Sequence, residues 1–322
     1  MASLPRVVVV TRATPLDMLL LRHGTLDQAR FFLRSRGEDP HWHEEVHARQ
    51  QQALGRVLSA IPAEQRRVRI DRDGLDRFLF AADDLVVVVG QDGLVPNVAK
   101  YLDGQLVIGV NPDPASYDGV LCRHPAFQAA ALIAWAVDLS PGQGIRIESR
   151  AMAAVQREDG QRLLSLNEVF IGHRSHQSAR YRLSVSGRDE RQSSSGLILA
   201  TGTGSTGWAR SIARQRGVAA LPKPEERRVS WFVREPFPSV STGTELEFGL
   251  LGEGESLRVV SEMGDGGIVF ADGMEADALD FPSGASVMLS LASERLNLMV
   301  PEKSPEVRKS GSPEVSRITT RR

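Results

Sequence analysis

Across the first 140 residues, apolar runs alternate with stretches of helical spacing. The run Arg6 to Val10 predicts a buried strand, and Thr25 to Arg36 predicts a helix whose Thr25 and Gln28, three apart, have the form of a capping box. A second helix is expected from Pro40 to about Ile61, with Asp39 as its cap and proline at its first position. Its helical spacing would bury Trp42, Val46, Leu54, Val57 and Ile61. Two further apolar runs follow, in "DLVVVVGQDG" and "LVIGVNPD". Strands without polar alternation are buried on both faces, so this half predicts a parallel sheet flanked by helices.

After about residue 143 the pattern changes to short, often alternating segments such as "ARYRLSVSG", "SSGLILATG", "RVSWFVREP" and "SLRVVSE", separated by Gly, Ser and charged turns. They predict mostly antiparallel β structure, in which only Trp208 to Gln215 has a helical pattern. No internal repeat is present. From Pro301 the chain is rich in Pro, Ser and charge, with little to bury, and is expected to be disordered. The expected organisation is an α/β domain over 1–140, a β-rich domain over 141–300 and a tail over 301–322.

Composition narrows the classes. The 322 residues are 41% hydrophobic and 25% charged, and 39 basic against 40 acidic side chains leave a formal net charge of -1. That balance gives no global attraction for nucleic acid or an anionic membrane, so neither is expected as a partner. The single cysteine, Cys122, excludes an internal disulfide and fits a reducing compartment, so cytoplasmic residence is expected. The N-terminal apolar run is too short for a signal segment or a membrane span.

Three stretches carry candidate chemistry. "TGTGST", Thr201 to Thr206, begins a GxGxxG string made by Gly202, Gly204 and Gly207. A dinucleotide fingerprint belongs in a βαβ unit with an acidic residue ending the next strand, and that context is missing; no Lys follows for a P-loop. The loop still offers backbone N–H groups and small hydroxyls to a nucleotide, or else it is a Gly-rich turn capping a helix. In "VVVVGQDGLVPNVAKYL" a buried strand runs into Gly90, Gln91, Asp92 and Gly93, with a helix expected from near Pro96. Asp92 then stands beyond the carboxyl end of a parallel strand, where it can accept a proton or hold Mg²⁺, or merely cap the helix. In "SLNEVFIG", Asn167 and Glu168 interrupt an apolar strand; buried, they need a partner such as a ligand, and at a strand end they are solvated.

Two other strings are read as surface features. "HEEVH", His43 to His47, matches a zinc-protease helix formally, but it flanks the apolar stripe and has no evident third ligand. His173, Arg174, His176 and Arg180 are expected at a solvated turn.

In order, "GQDG", "GVNPDP", "LNEVFIG" and "TGTGSTGW" resemble the NAD kinase family, and most nearly its mitochondrial-type branch. A later "REP", Arg234 to Pro236, and the pair Asp272 and Gly273 also match; the resemblance covers roughly Leu85 to Val300. It implies a Rossmann-like N-terminal α/β domain, a C-terminal β-sandwich-like domain and an active site between them. It implies phosphoryl transfer from ATP, or polyphosphate, to the adenosine ribose 2'-hydroxyl of NAD, with Mg²⁺ travelling on the donor and no metal held by the protein itself. Asp92 would be the catalytic carboxylate, with Gly90 and Gly93 shaping the loop around phosphates. Asn111 in the GVN loop, Asn167, Glu168, Thr203, Gly204, Ser205, Thr206 and Trp208 would bind nucleotide, and a homodimer or tetramer is implied. Two departures stand out: Gln91 replaces the family's second glycine, and Leu94 replaces a threonine. They keep two rivals open: a related kinase acting on a lipid or sugar-like hydroxyl, and an NAD-binding sensor impaired in catalysis.

Overall fold

A computed structural model describes residues 4–138 and 144–302. The expected boundary near residue 140 and all but the first two residues of the expected tail lie outside the described residues; Pro301 itself ends the last strand.

Valine alternation builds the first layer. Every residue of Val7–Thr11 and Leu85–Val89 is buried, because successive side chains point to opposite faces and both faces are covered. Val8, Val10, Val86 and Val88 pack against helix Leu94–Ala99 on one side. Val7, Val9, Val87 and Val89 pack against helices Pro40–Ala60 and Ala129–Asp138 on the other. Strands Arg67–Asp71, Val7–Thr11, Leu85–Val89 and Leu106–Asn111 lie side by side in that order, all parallel.

The final strand, Ser286–Pro301, extends this sheet. It runs parallel to Leu106–Asn111 through Asn297–Met299 and antiparallel to Ile145–Arg157 and Ser256–Ser261. Through Ser256–Ser261 the sheet continues antiparallel into Ala179–Val185 and Arg188–Ser194. A second sheet of six antiparallel strands has the order Phe248–Leu251, Val229–Val233, Leu197–Ala200, Glu168–His173, Gly267–Ala271, Met274–Asp280. Tyr181, Leu183, Val259 and Leu289 of the first sheet meet Val169, Ile171, Leu199 and Trp231 of the second in one core. The opposite face, with Ile198, Ala200 and Phe232, is covered by Ala209, Ile212 and Ala213 of helix Trp208–Gln215. The α/β-plus-sandwich architecture expected from the sequence is therefore the one adopted.

Details differ. A helix not expected from the pattern, Pro15–His23, carries the complete capping box through Thr14 and Asp17, while Thr25 only accepts the Gln28 N–H at the next helix. The helix after GQDG starts at Leu94, earlier than Pro96. Trp42, expected in the core, is 50% exposed and Val46 only half-buried; the fully buried positions of this helix begin at Gln50. No helix among the described residues is long and apolar enough to cross a membrane.

Candidate functional site

The GQDG loop leaves strand Leu85–Val89 at its carboxyl end. Asp92 is half-buried, and its carboxylate accepts the backbone N–H groups of Val120, Leu121 and Cys122, each at 2.8 Å. A carboxylate has about four acceptor positions, so roughly one is left for another donor. Leu94, at the family's threonine position, is fully buried and contacts the core rather than a phosphate. Gln91 is exposed and lines a cavity of ≈ 80 Å³ together with Gly90, Arg12, Arg49, Asp113 and Tyr117. The cavity lies beyond the ends of three parallel strands, the usual ligand position in such sheets. Asn111 shapes its wall: its Oδ1 accepts Asp113 N–H at 2.9 Å and its Nδ2 donates to Tyr117 O at 3.0 Å.

Asn167 and Glu168 occupy the turn between strands Arg162–Ser165 and Glu168–His173, so the apolar strand is not interrupted but begins there. Their backbone is held from two sides. Asp272, a half-buried residue, accepts Ser165 Oγ at 2.8 Å and the N–H groups of Leu166, Asn167 and Glu168 at 2.9, 2.7 and 3.2 Å with its carboxylate. Thr201 donates its N–H to Asn167 O at 2.9 Å and its hydroxyl to Leu166 O. The side chains of Asn167 and Glu168, both half-buried, make no hydrogen bond within the described residues. Burial, then the nearby charge of Asp272, pushes the Glu168 carboxyl up to about 7.

The TGTGST loop lies against this turn. A Cβ at Gly204 would sit 2.2 Å from Asn167 O, and one at Gly202 would sit 1.9 Å from Lys223 O. These glycines are required for backbone-to-backbone approach, which is their role in place of a dinucleotide fingerprint. Ser205 Oγ donates to Thr201 O at 2.9 Å and Thr206 Oγ to Thr203 O at 3.1 Å, leaving hydroxyl lone pairs as acceptors. Trp208 stacks on Phe170 at 5.7 Å, and the Arg234 guanidinium lies over its ring at 4.7 Å, so its π-surface is engaged in packing.

A cluster not identified from the sequence links these loops. Glu148, on strand Ile145–Arg157, pairs with Arg123 at 3.3 Å, Arg146 at 2.5 Å and Arg150 at 2.6 Å. Burial would raise the Glu148 carboxyl, but the three guanidinium groups overrule it and hold the acid below its usual range. Arg150, 1% exposed, reaches Thr203 Oγ at 3.4 Å. The signal in the sequence was the spacing Arg146, Glu148, Arg150, which puts three charges on one strand face. Polar contacts therefore run in a circuit. They pass from Asp92 to the Val120–Cys122 backbone, then through neighbouring Arg123, Glu148 and Arg150 to Thr203. They return through Thr201, the Asn167 turn and Asp272 to Asn97, which donates to Asp272 O at 3.1 Å from the helix that follows GQDG.

Of the remaining motifs, HEEVH borders the cavity through Val46, with its charged side chains paired. In HEEVH, Glu44 pairs with Arg30, His43 faces Glu38, and His47 lies against Thr14 and Asp17. His173 ends a strand beside Gly266, and exposed Arg174 pairs with Asp280.

No family model matches the chain. NAD kinase 2, mitochondrial, of Rattus norvegicus is 31% identical across 48% of this chain and 54% of its own length. The corresponding protein of Homo sapiens is 30% identical across 48% and 52%, and an NAD kinase of Methanocorpusculum labreanum 31% across 41% and 46%. The chain thus spans about half the length of the curated relatives it matches. Its fold is shared with an NAD kinase from Archaeoglobus fulgidus, crystallised in complex with ATP, at a TM-score of 0.56 and 18% identity over 92% of this chain and 94% of that one. Sequence similarity and shared fold together relate this chain to the NAD kinases.

Proposed function

We propose that this chain is an NAD kinase, moving the terminal phosphoryl group of ATP, or of polyphosphate, to the 2'-hydroxyl of the adenosine ribose of NAD. The observation that carries the reading is the 31% identity to a named NAD kinase on a chain in which three of the four motif loops, GQDG, LNEVFIG and TGTGST, close into one polar circuit. In the step, a bond forms between the ribose 2'-oxygen and the terminal phosphorus, and the bond from that phosphorus to its bridging oxygen breaks. The hydroxyl proton passes to the Asp92 carboxylate as the new bond forms, and ADP, or the shortened polyphosphate, leaves with the electron pair of the broken bond. Such transfer depends mainly on positioning and charge neutralisation, which suits groups held as rigidly as these.

Asp92 orients the 2'-hydroxyl through the acceptor position its three amide partners leave open. Asn167 and Glu168 contact the adenosine half of NAD with side chains that make no hydrogen bond among the described residues, and Thr203, Ser205 and Thr206 line the same wall with Gly204 at its base. Gly90 and Gly93 flank the donor phosphates, Asn111 shapes the loop beside them, and Trp208 supports the wall by packing. Mg²⁺ travels on the donor, whose phosphate charge it neutralises. A homodimer or tetramer in the cytoplasm completes the proposal.

Incubating the purified chain with NAD, Mg²⁺ and either ATP or polyphosphate is expected to give NADP. Absence of NADP with both donors overturns the reading. NAD binding without turnover would then identify a sensor, and transfer from labelled ATP to lipid or sugar hydroxyls alone would identify a related kinase.

A further inference from the structure

The turn bearing Asn167 and Glu168 is held by a residue from a distant hairpin. Asp272 and Gly273 form the two-residue connection between Gly267–Ala271 and Met274–Asp280, with Ala271 paired to Met274. Both have positive φ, 52° and 66°, the conformation that a tight hairpin of this kind requires and that Asp-Gly tolerates. This geometry aims the Asp272 carboxylate inward at Ser165–Glu168, where all its contacts are donors. Burial raises the Asp272 acid, but three backbone N–H groups and a hydroxyl fit its ionised form, and Lys100 lies near enough to favour that charge.

We propose that Asp272 is the positioning residue of this site: through Ser165 Oγ and the amides of Leu166, Asn167 and Glu168 it fixes the backbone from which Asn167 and Glu168 project. The assignment of Asn167 and Glu168 to NAD rests on the proposed function; the coupling between Asp272 and Glu168 does not. The other charged groups nearby are already paired. Lys100, on the segment after GQDG, donates to Asp277 Oδ2 at 2.5 Å and to Ala271 O at 3.4 Å. Arg72 donates to Asn97 Oδ1 at 2.8 Å, and Asn97 in turn donates to the Asp272 carbonyl. Asp272 is thus the carboxylate whose charge acts on Glu168.

The coupling can be read on the free protein by following the Glu168 carboxyl carbon by NMR across pH in the wild type and in Asp272→Asn. Glu168 is expected to titrate near neutrality in the wild type. In the variant its proton affinity should fall by up to about tenfold, because a like charge is removed while burial, the larger cause, remains. With NAD and ATP, the same variant should raise KM for NAD about tenfold and leave KM for ATP within about twofold, as the unpaired N–H groups displace only the acceptor side. If Asp272→Asn does not fold, Glu168→Gln serves. It keeps the turn, so the neutral-range inflection in KM for NAD should vanish while the melting temperature near neutrality stays at or above that of the wild type. An unmoved Glu168 titration in Asp272→Asn, equal losses for NAD and ATP, or an inflection that persists in Glu168→Gln would overturn the proposal. If the wild type makes no NADP, the proposed function falls while the NMR titration still decides the coupling.

Discussion

One methyl group separates a glycine needed for contact from one that merely ends a motif. At Gly204 it would strike the carbonyl oxygen of Asn167, a rigid backbone atom, so Gly204→Ala must push the loop off the turn. The expected loss is about 1–3 kcal/mol, the usual range for overpacking, together with weaker NAD binding. Gly207 meets nothing closer than 3.7 Å and has a negative φ, so Gly207→Ala should cost less than about 0.5 kcal/mol. Urea denaturation of both variants decides; equal losses would refute the close approach. Glu168 offers a second test at this scale. Its carboxyl is raised from 4.5 to about 7, so between those values the folded chain holds a proton that the unfolded chain has released. Stability contributed by this group is present below about pH 4.5 and declines as pH rises through 7, by up to about 3 kcal/mol. Glu168→Gln removes the titration, so its stability should overtake that of the wild type between pH 5 and 8. Parallel curves for the two proteins would count against the raised acid.

Among the elements, those built on repetition were legible. Unbroken apolar runs predicted three of the parallel strands, and Asp39-Pro40 predicted the long helix to within a residue of its end. The fourth strand, Arg67–Asp71, was not expected, because its apolar residues alternate with exposed charged ones. The helix Pro15–His23 was not expected, because it buries only Leu16 and leaves Met18 and Leu21 exposed, so no stripe marks it. Asn167 and Glu168 were visible as polar residues in an apolar run, but the turn they occupy is imposed by Asp272, more than a hundred residues away. Long-range pairing also sets the last strand, whose register with Ile145–Arg157 shifts between Leu291 and Arg295. Glu294, inside that irregularity, is held by both Nη atoms of Arg162, which pulls its carboxyl down to about 2. A depressed carboxyl contributes stability above its ordinary value of 4.5 and loses it as pH falls towards 2. Because Arg162 is partly solvated, Arg162→Ala should cost only about 1 kcal/mol at pH 7 and almost nothing near pH 2. Unfolding midpoints at the two pH values check the sign; an equal deficit at both would assign Arg162 to packing.

Across the whole molecule, the candidate site depends on loops from both ends of the sequence meeting at one buried charge cluster. Glu148 is the anion that Arg123, Arg146 and Arg150 share, and the three play unequal parts. Arg146 has 42% of its side chain exposed and a second partner in Glu225, so water and Glu225 can take over when Glu148 is lost. Arg150 has no such alternative: it is sealed between the strand and the TGTGST loop, with Thr203 as its other side-chain contact. Glu148→Gln would leave that guanidinium buried with a neutral partner, a change that typically costs about 3–5 kcal/mol. For a chain of this size the melting temperature should fall by on the order of 5–10 °C, whereas Arg146→Ala should change stability by less than about 1 kcal/mol. Arg123 follows directly on the amides that Asp92 holds, and Arg150 touches the loop proposed to face adenosine, so losing Glu148 loosens both walls together. Glu148→Gln, assayed below its melting point, should therefore raise KM for both NAD and ATP, unlike Asp272→Asn, which acts on NAD alone. Selective loss of one substrate in Glu148→Gln, or a stability change as small as that of Arg146→Ala, would mean that the two halves of the site are held together by their shared strand, Ser286–Pro301, and not by this charge.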